Sequence, residues 1–202
     1  MALLRPSHVR RAGVTLVEML IGVAILGVLL AVAVPSLSNM MERRRVVAAA
    51  GEIASIFVQA RSEATSLGGK VNIHLQPVPA TIGEFSCVRL STDDVIDVCR
   101  CNRSGERLCS VGNGRLLREF LLPKDSSVTF SATGEWVASN PYVVNFMRGN
   151  YVTNTNNVHV TVIGTRTQAK LRVEYISSGR VRTCSPDGSM SGFPTCAAQG
   201  GA

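Results

Sequence analysis

Charge is scarce in this sequence, and aromatic side chains are scarcer. Of 202 residues, 17% are charged and 5% aromatic, where about a quarter charged is usual for a soluble domain. The deficit is uneven, with no charged residue from Met19 to Met41. Such a chain is not simply a soluble enzyme, and at 46% hydrophobic it is too apolar for a disordered one. Histidine is also rare: His8, His74 and His159 are isolated, so no catalytic or metal cluster can be built around them. Gly68-Gly69-Lys70 lacks the rest of a phosphate-binding loop. Gly188-Ser189-Met190-Ser191-Gly192 has Met where a nucleophile elbow needs Ser. Neither a catalytic residue nor a cofactor is expected, and the chain reads as a non-enzyme.

What charge there is lies at the ends. The net charge is +7. Arg5, Arg10 and Arg11 stand unopposed near the N-terminus, residues 84–135 are close to neutral, and Arg148, Arg166, Lys170, Arg172, Arg180 and Arg182 face only Glu174 and Asp187 near the C-terminus. A basic end suits an anionic partner or plain solubility. The six cysteines are Cys87, Cys99, Cys101, Cys109, Cys184 and Cys196. An even count behind an export-like N-terminus favours disulfides in an oxidising compartment. Proximity favours Cys184 with Cys196. The other four have no assigned pairing, and their Cys-x-Cys spacing without a nearby His argues against zinc.

The stretch MLIGVAILGVLLAVAVP from Met19 to Pro35, extended back to Val14, is long enough for one membrane span. A cleaved secretory signal is the competing reading, with Ala31-Val32-Ala33 as its site. Two features oppose it. Glu18 stands at the start of the apolar stretch, where a carboxylate is costly, and helical periodicity continues past the cleavage site. Val46, Ala50, Ile53, Phe57, Ala60, Ala64 and Leu67 recur at spacings of three and four, while Arg45, Glu52, Gln59, Arg61 and Glu63 take other faces. Gly68-Gly69 is a helix stop. One helix from Val14 to Leu67, apolar all round at first and one-sided later, is expected.

The string Gly13-Val14-Thr15-Leu16-Val17-Glu18, after a short basic leader and before an apolar helix, resembles the type III signal of type IV pilins and pseudopilins. The resemblance implies cleavage after Gly13 by a prepilin peptidase on the cytoplasmic side and N-methylation of Val14, a position where Phe is commoner in the family. It also implies filament assembly through Glu18, whose carboxylate would pair with the free amine of a neighbouring subunit, and through Gly27 and Pro35, which fall where the family's helix has its weakening Gly and Pro kink. A buried carboxylate needs such a partner. Arg5, Arg10 and Arg11 favour a cytoplasmic N-terminus, while Arg43-Arg44-Arg45 pulls the other way. The cysteines decide for an exported C-terminal domain. Arg43 to Arg45 are left to lipid headgroups, neighbouring subunits or solvent.

From Lys70 onward, short alternating runs replace the helical period. Val71–Leu75, Val95–Val98, Leu116–Leu122, Val128–Phe130, Trp136-Val137, Tyr142–Phe146, Val158–Val162 and Leu171–Tyr175 read as strands, separated by turns such as Gly112-Asn113-Gly114. The expected class is α+β: a long N-terminal helix packed against a C-terminal antiparallel β-domain. The expected organisation is a leader at 1–13, a transmembrane and filament-core helix at 14–41, its amphipathic half at 42–69 and a β-rich domain at 70–202.

Gly179-Arg180-Val181-Arg182 follows the strand Lys170 to Ile176 and precedes Cys184. On a strand, Arg180 and Arg182 point to one side, about 7 Å apart, a spacing suited to backbone phosphates. Lys170 and Arg172 would extend the strip. The element resembles the GRxR motif of FimT-type minor pilins, which bind DNA in natural transformation. FimU-type minor pilins and the H-type pseudopilin (GspH) share the long helix plus β-domain. The resemblance implies a FimT/GspH-family minor pilin of the bacterial inner membrane, partnered by prepilin peptidase, other pilins or pseudopilins, the assembly platform and, through the GRxR element, double-stranded DNA. The alternative is an H-type minor pseudopilin of a type II secretion system.

Overall fold

The computed structural model describes residues 13–76, 85–92, 114–123, 125–134, 142–148, 158–176 and 179–197, apart from the side chain at position 32. The expected strands at 95–98 and 136–137 lie outside these residues, as do Cys99, Cys101 and Cys109.

A single helix, α1 (Leu16–Leu67), carries Pro35 inside it. Thr15 starts it as an N-cap: its Oγ1 accepts the Glu18 N–H at 3.2 Å, satisfying one of the donors a helix N-terminus leaves unpaired. Gly68 ends it with a φ of 66°, a left-handed conformation that glycine adopts without strain. Among the described residues eight strands follow: β1 (Val71–Gln76), β2 (Phe85–Thr92), β3 (Arg115–Pro123), β4 (Val128–Thr133), β5 (Val143–Phe146), β6 (His159–Gly164), β7 (Lys170–Tyr175) and β8 (Val181–Cys184). They form two antiparallel sheets ordered β3-β2-β1-β5 and β4-β6-β7-β8. The α+β class expected from the sequence is therefore observed.

The chain divides into two compact units, Met1–Ser38 and Asn39–Ala202. In the first, the apolar residues of α1 are exposed throughout, among them Leu20, Ile25, Leu29 and Leu37. In the second, Val46, Ala50, Ile53, Phe57, Ala60 and Ala64 are buried in one core with both sheets. Leu67, expected on the same stripe, is 57% exposed, because the helix ends there, beside Gly68. Phe57 joins the three layers. Its ring lies 6.3 Å from Phe146 on β5 and 6.0 Å from Tyr175 on β7, which are themselves 5.3 Å apart. Such offset and edge-on pairs add to the area they bury.

Polar contacts fix the helix over the sheets. Arg118 on β3 donates to Glu52 Oε1 at 2.6 Å and to Gln59 Oε1 at 3.2 Å. Arg61 donates to the Gly179 carbonyl at 2.7 Å. Strand β2 was not expected from the sequence. Its Ser86, Arg89 and Ser91 are buried together with Cys87, Val88 and Leu90, so the chain shows no alternation there. Arg89 is satisfied by Glu119 directly opposite on β3.

Candidate functional site

The predicted processing residues Gly13 and Val14 are exposed and precede α1. Glu18 lies in the helix's first turn, exposed, where a carboxylate interacts favourably with the helix dipole. Gly27 has open space around a notional Cβ. The Pro35 carbonyl accepts the Ser38 hydroxyl at 2.9 Å. The helix contains a window of mean hydropathy 2.7, none of it buried, long and apolar enough to cross a membrane.

Just past the uncharged stretch Met19–Met41 stands a residue the sequence reading overlooked. Glu42 is 1% exposed. Its Oε1 accepts three hydrogen bonds: Arg166 N at 3.1 Å, Thr167 N at 2.7 Å and Thr167 Oγ1 at 2.7 Å. Arg166 Nε lies 3.9 Å from its Oε2. Burial works against the charge, but the Thr167 and Arg166 donors outweigh it and hold this carboxyl below its ordinary range. The donors sit on the turn joining β6 to β7, which Ser127 ties to β4 through the Thr165 N–H at 3.0 Å. Arg45 reaches the same point, donating to Ser127 Oγ at 3.0 Å. Gly164 makes room for this clamp: a Cβ there would come within 2.5 Å of Glu42 Oε1 and 2.8 Å of Thr167 Oγ1. One sequence signal could have revealed Glu42, since it lies one helical turn before Val46 on the buried stripe.

The predicted basic strip is assembled, yet most of its charge is engaged. Gly179 takes a φ of 77°, and its N–H bonds to the Ile176 carbonyl at 2.8 Å, closing the turn between β7 and β8. Arg180 stands just before β8, exposed, and its side chain makes no hydrogen bond or ion pair among the described residues. Arg182 pairs in register with Glu174 and donates to its Oε2 from Nε at 3.1 Å and Nη2 at 2.6 Å. Arg172 Nη1 lies 3.7 Å from Glu174 Oε1, and Lys170 Nζ lies 3.6 Å from Asp187. Of the four basic residues expected in the strip, Arg182, Arg172 and Lys170 pair with Glu174 and Asp187, and Arg180 makes no polar contact among the described residues.

Cys184 and Cys196 form the expected disulfide. The loop it closes is held from within: Ser185 N donates to the Pro194 carbonyl at 2.8 Å, and Cys196 N to the Ser185 carbonyl at 3.1 Å. Cys87 is also disulfide-bonded. Hydrogen bonds from Ser189, its hydroxyl foremost, hold the Asp187 carboxyl below its ordinary range against the opposing effect of burial.

The family model that matches is the prokaryotic N-terminal methylation motif, over residues 9–34. The match includes Gly13, Val14, Glu18 and Gly27, and Pro35 falls one residue beyond it. A methylation motif therefore opens one long helix, with an antiparallel β-domain behind it. That motif is the part of the chain a family model recognises, and it lies over the start of α1. Among solved structures it is similar to the minor pilin FimU of Pseudomonas aeruginosa, at 17% identity and a TM-score of 0.44 over 71% of this chain and 90% of that one. A second crystal form of FimU gives 16% and 0.41 over 67% and 90%. The minor pseudopilin EpsH of the Vibrio cholerae type 2 secretion system gives 9% and 0.44 over 70% and 97%. So distant a likeness assigns no function. No curated protein matches the sequence significantly.

Proposed function

We propose that this chain is a minor pilin-like subunit of the FimT/GspH type, anchored in the bacterial inner membrane by α1 until a filament assembly platform extracts it. The observation that carries the reading is the methylation motif over residues 9–34, set on a helix that, beyond Glu18, exposes an uncharged and largely apolar surface from Met19 to Met41. That surface needs lipid or other helices to cover it. In this reading prepilin peptidase cuts after Gly13 on the cytoplasmic side, and Val14 becomes the methylated N-terminus. Glu18, at the fifth position of the mature chain, pairs with a neighbouring subunit's terminal amine, and Gly27 and Pro35 supply the helix's give. The disulfide-bearing domain lies on the oxidising side. Mass spectrometry of the N-terminal peptide from the expressed chain tests this. A methylated Val14 supports it, and a chain starting at Val34 makes it a secreted protein instead.

Contact with double-stranded DNA is the finer part of the proposal, and Arg180 favours it as an exposed, unengaged guanidinium on a tight turn. A lone arginine supported by Lys170, Arg172 and Arg182 would grip phosphates without reading sequence. Binding of the mature chain to duplex DNA, titrated with salt, should weaken in Arg180→Ala with a shallower salt slope. Binding indifferent to Arg180 leaves the alternative, an H-type pseudopilin of a type II secretion system.

A further inference from the structure

We infer that the depression beside the end of the apolar helical stretch holds the headgroup of an anionic phospholipid. Met40, Arg43, Arg44, Val47, Met190 and Ser191 line this space of about 280 Å³. Its residues on α1 run from Met40 to Val47, across the point where the uncharged stretch ends at Met41. With residues 14–41 as the membrane span, Arg43 and Arg44 stand at headgroup depth. The inference rests on that reading of the span.

The lining matches a phosphodiester on a lipid. Among the described residues it contains two arginines and no acid. Arg43 is held in place by donating from Nη1 to the Ser189 carbonyl at 2.8 Å, which leaves its other donors free. Arg44 is exposed and makes no hydrogen bond or ion pair among the described residues. Met40, Val47 and Met190 supply an apolar wall for the glycerol and first acyl carbons. The facing loop is preformed: the Cys184–Cys196 bridge closes it, and Met190 N and Ser189 N donate to Ser185 Oγ and Asp187 Oδ1. The nearest acid on that loop, Asp187, is already committed to Ser189 and Lys170. A lining that combines apolar side chains with two arginines favours an anionic amphiphile over a zwitterionic one.

The test uses the full chain reconstituted in phosphatidylcholine vesicles with spin-labelled phosphatidylglycerol or spin-labelled phosphatidylcholine. The expected result is a motionally restricted phosphatidylglycerol population enriched on the order of fivefold over phosphatidylcholine. It should fall to near parity in Arg43→Gln/Arg44→Gln and substantially in Arg44→Gln, whose side chain supports nothing in the fold. Arg45→Gln removes the same charge one residue on, outside the pocket, and should preserve the preference. No enrichment in the wild-type chain overturns the inference. So does an equal loss in Arg45→Gln, which would mean diffuse attraction. Enrichment that vanishes as the protein-to-lipid ratio rises also overturns it, by assigning the pocket to a second copy. Failure of the chain to resist alkaline extraction from the vesicles refutes the membrane reading itself, a separate outcome.

Discussion

Replacing Glu42 should cost this fold more than any other single polar substitution on α1. The carboxylate is buried, and one of its oxygens takes three donors from the β6–β7 turn. A hydrogen bond to a charged group contributes about 1.5–3 kcal/mol, but three to one atom do not add. Desolvation of the charge also counts against them. In Glu42→Ala the Arg166 and Thr167 donors are stranded, and the expected loss is about 3–5 kcal/mol. For a domain of this size that lowers the melting temperature by about 10 °C. Glu42→Gln keeps an acceptor of the same shape, and should lose only about 1–2 kcal/mol. Because the folded carboxyl titrates below its ordinary value of 4.5, its stabilisation is complete above that value. It drains away as pH falls through the folded one. Thermal unfolding of the Asn39–Ala202 unit between pH 7 and 3, followed by circular dichroism, reads both effects. The wild type should lose stability in acid more steeply than Glu42→Gln. Parallel curves for the two, or an alanine variant within about 1 kcal/mol of wild type, would refute the clamp.

Gly164→Ala should destabilise the same unit by about 1–3 kcal/mol through crowding of the Glu42 carboxylate. Its cost should shrink in the Glu42→Ala background, a coupling that a double-mutant cycle measures. Cys196→Ser opens a loop of sequence separation 12 and should cost about 3 kcal/mol, read as a lower denaturant midpoint that reducing agent does not lower further at this site. Phe57→Ala removes the ring linking α1 to both sheets and should cost about 3–5 kcal/mol by the same assay. Arg61→Ala, which frees the Gly179 carbonyl, should raise hydrogen exchange in the β7–β8 turn before it changes global stability.

The helix was legible because its causes are local. An uninterrupted apolar run, a stripe at spacings of three and four and a terminal glycine all lie within one stretch of chain. Strands that bury one face were legible for the same reason, as on β6, where Val160, Val162 and Gly164 are buried between half-exposed neighbours. Strand β2 was not, because adjacent apolar Cys87 and Val88 break its alternation while Ser86, Arg89 and Ser91 are buried beside them. The Glu42 clamp was hidden differently. Its donors lie 124 and 125 residues away, and a carboxylate on a helix looks solvent-facing until its position on the stripe is counted. The pairing of Arg182 with Glu174 was closer to reach. A turn at Gly179 in a tight hairpin sets Tyr175 opposite Val181 and hence Glu174 opposite Arg182, so the register already held the answer.

That register changes how the basic strip must be interrogated. Glu174 is buried and balances Arg182 and Arg172 at once. Removing Arg182 therefore strips a buried carboxylate of its strongest partner, and a lost activity in Arg182→Ala reports folding as readily as contact. Arg180 carries no such burden. The two arginines, alike in sequence, do different work: one closes a network on the sheet and the other faces outward from a turn. A double substitution merges these effects, whereas Arg180→Ala alone separates the proposed phosphate contact from the integrity of the hairpin that presents it.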